Sequence, residues 1–169
     1  MYQTIKIVRC SCYISLVCIT CLMPFLALAQ GINIKEVQTL TFPMIGLPSG
    51  GVSSLSINPL NSATSGSAPI ISGMASRGQY AISLIPGGAP ISISIDISSA
   101  DTGNAGLTLD TFRGFYAGQT IYPFPSSTLP LPATSPSNTP LYLGAKVTAN
   151  STVHAGTYKA NFSITVFVQ

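Results

Sequence analysis

Apolar and polar positions alternate along most of the chain. The clearest run is Ile91-Ser92-Ile93-Ser94-Ile95-Asp96-Ile97, with four isoleucines in one phase and serine or aspartate in the other. A strand sends successive side chains to opposite faces, so this period of two predicts a strand half-buried on a sheet. Tyr80, Ile82 and Leu84 repeat the pattern, as do Leu55 and Ile57 on a shorter run. Leu107 and Leu109 mark another strand, with Phe112 one position out of phase. In the opening segment Ile32, Ile34, Leu40 and Phe42 share a phase that Glu36 and Gln38 interrupt. That interruption predicts either a bulge or a partly solvated face.

The longest alternation closes the chain. Tyr158, Ala160, Phe162, Ile164, Val166 and Val168 fall on one face, and Lys159, Asn161, Ser163 and Thr165 on the other, with Phe167 as the apolar exception. The turn before it, His154-Ala155-Gly156, is expected to use the freedom of glycine at positive φ. Breakers separate the runs at Pro48–Gly51, Asn61–Pro69, Pro86–Gly88 and Asp101–Gly106. Short alternating strands between Gly/Pro turns, with no helical period, predict an all-β protein, an immunoglobulin-like antiparallel β-sandwich.

Between Tyr122 and Pro140 the chain holds Pro123, Pro125, Pro130, Pro132, Pro136 and Pro140. Proline donates no ladder hydrogen bond, so this stretch is excluded from the centre of a sheet. A stiffened crossover between sheets is the simpler reading, and an extended recognition segment is the alternative. Phe115, Tyr116, Tyr122 and Phe124 cluster beside it, either as core beneath the loop or as an aromatic platform for a carbohydrate or peptide.

The first 29 residues read as a cleaved secretory signal. Lys6 and Arg9 supply its positive start, Tyr13 to Leu28 its apolar run, and Ala27-Leu28-Ala29 the small-x-small site of cleavage. Residues 30–169 are then expected to form one domain, exported to the periplasm, cell surface or exterior, with no membrane span after cleavage. All four cysteines, Cys10, Cys12, Cys18 and Cys21, fall in the signal. Disulfides, thiol nucleophiles and cysteine-bound zinc are therefore not expected in the mature domain.

The remaining charges are few and nearly balanced: Lys35, Arg77, Arg113, Lys146 and Lys159 against Glu36, Asp96, Asp101 and Asp110. That balance carries no electrostatic signature of a nucleic-acid partner. His154 is the single histidine and no Gly-x-Ser-x-Gly elbow accompanies it, so no catalytic residue is assigned and no enzyme is expected. Asp96, Asp101 and Asn104 could suggest calcium, but the composition of Asp101–Gly106 is that of an ordinary turn. No metal and no cofactor are expected.

The runs Leu141–Val147 and Ala155–Val166 resemble the close of a bacterial secreted family, domain of unknown function 4402. Leu40-Thr41-Phe42 resembles its first-strand motif, and Arg77–Leu84 its central one. That family is similar in turn to chaperone–usher fimbrial subunits, whose sandwich lacks its last strand and takes one from a chaperone or a neighbouring subunit by β-strand addition. The resemblance implies a fimbrial-like surface protein acting through protein–protein or adhesive contact. Its partners would be itself, another surface subunit or a periplasmic chaperone, and its contact strand would include Gly156, Tyr158, Phe162, Ile164, Val166 and Val168. Gly156 holds the glycine position of the pilin end signature, whereas the aromatic, Phe167, stands one residue before the penultimate Val168. The alternative is a monomeric secreted binding module for carbohydrate or peptide.

Overall fold

A computed structural model of the chain describes residues 2–6, 31–47, 49–84, 91–98, 101–131 and 139–169, with backbone alone at 2–6, 84 and 139. The signal's cysteines and cleavage site, the turn at Pro86–Gly88, and Pro132 and Pro136 lie outside these residues. Among them there is no helix. The strands are β1 (Tyr2–Lys6), β2 (Ile32–Gln38), β3 (Met44–Ile45), β4 (Val52–Ile57), β5 (Thr64–Gly66), β6 (Ile70–Ser72) and β7 (Gly78–Leu84). They continue as β8 (Ile91–Ile97), β9 (Leu107–Tyr116), β10 (Gln119–Ile121), β11 (Leu129–Leu131), β12 (Thr139–Asn150) and β13 (Asn161–Val168).

The expected all-β class is the class observed: antiparallel sheets packed as a sandwich. One sheet has the order β1-β13-β8-β11. The other runs β10-β9-β12-β4-β5, and β7 joins it through β12 and carries β2 at its far side. A small third sheet pairs β3 with β6. Among the described residues every strand pair is antiparallel except β1 with β13.

The long strand β12 organises the larger sheet. One edge pairs with β9 over Tyr142–Ala149, and the other pairs first with β7, over Thr139–Leu143, and then with β4, over Lys146–Asn150. Gly144 stands where β7 gives way to β4, and a Cβ there would overlap the carbonyl oxygen of Ile57. Only glycine lets the end of β4 come that close.

Alternation sets which residues form the core. Tyr80 and Ile82 of β7, Leu141 and Leu143 of β12, and Ile93 and Ile95 of β8 are fully buried. Each buried side chain of this size removes from water an area that stabilises the fold by about 1.5–3 kcal/mol.

Irregularities fall where the alternation falters. A register shift between Glu36 and Gln38 of β2 absorbs the polar interruption, so the bulge is the outcome of the two that the sequence left open. In β9 a second shift, opposite Gly144 and Lys146, contains Thr111 at φ 48. It turns Phe112 inward, where its ring meets that of Phe162 at 5.2 Å.

Some local expectations are corrected. The final strand starts at Asn161, so Tyr158 and Ala160 belong to the preceding loop. Gly156 lies in a bend there but does not adopt positive φ. The Asn61–Pro69 breaker contains β5, and the proline-rich stretch contains β11 and also the start of the central strand β12. There Pro140 pairs with Ala81 before the pairing with β9 begins at Tyr142. β11 is an edge strand, the position where Pro130 costs the sheet least. The chain crosses from β10 in one sheet to β11 in the other and back to β12, as a crossover should.

Candidate functional site

The terminal strand offers one edge to the sandwich and the other edge outward. Its burial alternates: Phe162, Ile164 and Val166 are buried, while Phe167 and Val168 are exposed. Main-chain bonds join Asn161 to Asp101, Ser163 to Ser98, and Gln169 to Ser92, all on the β8 side. Successive residues of a strand aim their N–H and C=O groups to opposite sides. The main-chain groups of Phe162, Ile164, Val166 and Val168 therefore point at the outer edge.

The residue pairs of β1 and β13 run in parallel along that edge, from Tyr2 against Asn161 to Lys6 against Thr165. Beyond Thr165 no described strand covers the outer edge of β13.

Next to the start of β13 the sandwich opens into an apolar cleft of about 750 Å³. Its floor is the inner face of the larger sheet, at Leu109, Val147 and Ala149. The segment around Phe42 and Met44 forms one wall, and the loop through Gly156 and Tyr158 the other. Tyr158 donates its hydroxyl to the carbonyl of His154 at 2.6 Å, which closes that loop on itself. Among the described residues no lysine, arginine, aspartate or glutamate lines the cleft, and its polar side chains are Thr102, His154, Thr157 and Tyr158. It can take apolar groups and has little with which to orient a polar one.

The aromatic cluster divides. Tyr116 is fully buried and donates its hydroxyl to the carbonyl of Pro130 at 3.3 Å, tying β9 to β11. Phe124 is half-buried and packs against the core. Phe115 faces outward from β9 opposite Tyr142, and Tyr122 is 56% exposed. These four residues therefore do not present one common face.

Residues 32–167, from the first residue of β2 into β13, match the family described as a domain of unknown function (DUF4402). The chain belongs to that family. No curated protein and no solved structure matches it.

The turn residues of this DUF4402 protein are occupied by turn chemistry. Asp101 accepts the N–H of Gly103 at 2.8 Å, and Asn104 that of Gly106 at 2.8 Å. Asp96 accepts the N–H of Ile97 at 2.8 Å. Among the described residues no cluster of three or more His, Cys, Asp or Glu could hold a metal. No described helix is long and apolar enough to cross a membrane.

Sequence reasoning missed the wall of the cleft. Met44, Leu47 and Ile71 are exposed apolar side chains that line it, on or beside the β3–β6 sheet. A signal was present: no ionisable residue occurs between Glu36 and Arg77. Strands of two or three residues are too short for their alternation to be noticed.

Proposed function

We propose that this DUF4402 protein is an exported structural or surface protein, similar to a fimbrial subunit, that acts by accepting a β-strand from a partner at the outer edge of β13. The observation that carries this reading is the pairing of Tyr2–Lys6 with β13. Those residues belong to the segment read as a cleaved signal. Its removal leaves the outward N–H and C=O groups of β13 without that strand, and such an edge favours strand addition.

The donor is a partner chain or a chaperone rather than the start of the same domain. Ile32–Gln38 is engaged with β7, and Ile32 and Ile34 are buried there. Self-association by the N-terminal segment would first have to pull β2 from its sheet.

The test is the molar mass of the exported, signal-cleaved chain by light scattering on a sizing column. Polymers, or aggregation relieved by a co-expressed periplasmic chaperone, support the proposal. A sharp monomer that stays soluble alone overturns it and favours a monomeric secreted binding module. The apolar cleft is the feature that would serve such a module.

A further inference from the structure

The few charges of the domain are nearly balanced in number but not in position. In the larger sheet Ile34, Leu143, Ala145 and Val147 point inward. The outward positions therefore include Lys35 of β2, Arg113 of β9 and Lys146 of β12. Arg77, just before β7, places its guanidinium over the ring of outward-facing Tyr142. On the strands of this face the acid in outward phase is Asp110, directly opposite Lys146. Asp96 belongs to β8 in the other sheet, Asp101 bridges to Asn161, and Glu36 pairs with inward-facing Tyr80.

Aromatic rings share the same face. A single cross-strand row runs from Gln79 through Tyr142 and Phe115 to Thr120. Beside it Tyr122 is exposed, with the guanidinium of Arg113 5.0 Å from its ring centroid.

We infer that this outer face binds an acidic polysaccharide. Tyr122 and Phe115 supply ring surface for the apolar C–H faces of sugars, and the Arg77 guanidinium that caps Tyr142 adds a cation beside them. Arg113 supplies a planar fork for a carboxylate or sulfate, and Lys35 adds a further positive charge. The sparse charges match a polymer with one acid per sugar or fewer better than the dense phosphates of nucleic acid. A sheet face is also open along its length, which suits an extended chain rather than an enclosed small molecule. This face lies on the sheet that does not contain β13, so the inference stands apart from the strand-addition reading.

The test is retention of the exported protein on immobilised polygalacturonate, a sulfated polysaccharide, neutral dextran and a DNA duplex. Retention on either acidic polysaccharide, reversed by salt and absent on dextran, is expected, and the column that retains better identifies carboxylate or sulfate. Arg113→Gln and Tyr122→Ala should each weaken retention about tenfold or more with an unchanged melting temperature. Lys159→Gln, on the loop before β13, should retain as the parent does. No retention, equal retention on dextran, stronger retention on DNA, or Arg113→Gln and Tyr122→Ala that bind like the parent would overturn the proposal.

Discussion

Arg77 and Tyr142 are locked together across the larger sheet, with the guanidinium carbon 3.8 Å from the ring centroid. The same guanidinium donates to the carbonyl of Pro59 at 3.0 Å and also to that of Leu60. One side chain thus ties the turn after β4 to β12. Lysine cannot reproduce a planar group that stacks and forks at once. Arg77→Lys should cost about 1–2 kcal/mol in chemical denaturation. A double-mutant cycle with Tyr142→Leu should return a coupling of about 0.5–1 kcal/mol.

Gly144 sits where a Cβ would meet the backbone of Ile57, which cannot swing aside as a side chain can. Gly144→Ala should destabilise by about 3 kcal/mol or more. Gly50→Ala, where nothing lies within 4 Å of the added carbon, should stay within about 0.5 kcal/mol of the parent. Denaturant midpoints of the two variants provide the comparison.

Ser53 is buried, and among the described residues its hydroxyl has no hydrogen-bond partner. Alanine removes the polar atom with little change of shape, which relieves a desolvation cost of about 1 kcal/mol. Ser53→Ala should raise Tm by about 2–4 °C in a scanning calorimeter.

Tyr116 and Tyr122 are close in sequence and opposite in environment. Tyr116→Ala empties a core site and should cost about 3–5 kcal/mol. Tyr122→Ala alters an exposed ring and should change stability by about 0.5 kcal/mol or less. Parallel urea melts would show the contrast, and equal losses would contradict the burial described for Tyr116.

Val168 is 52% exposed at the end of β13. A lysine on an edge strand opposes pairing with a second chain. If the exported protein polymerises through this edge, Val168→Lys should shift its light-scattering mass towards monomer while Tm stays near that of the parent. Polymers unaffected by the substitution would point to another surface.

Alternation by itself determined the all-β class and the cores of β4, β7, β8 and β13, because the period of a pleated strand is local and is written in neighbouring residues. It also marked where regularity breaks, at Glu36 and Phe112, since a polar or phase-shifted residue on a buried face demands a bulge. Partners are not local. The short strands β3, β5, β6, β10 and β11 carry too few residues for a period, and only the chain opposite makes them strands. The tertiary structure alone split the aromatic cluster, since Tyr116 and Tyr122 are separated by the turn between β9 and β10 and a change of sheet face. It alone gathered Lys35, Arg113 and Lys146 on one surface. A count of charges is additive along a chain, whereas the face on which each charge lies depends on strand order and register set by packing.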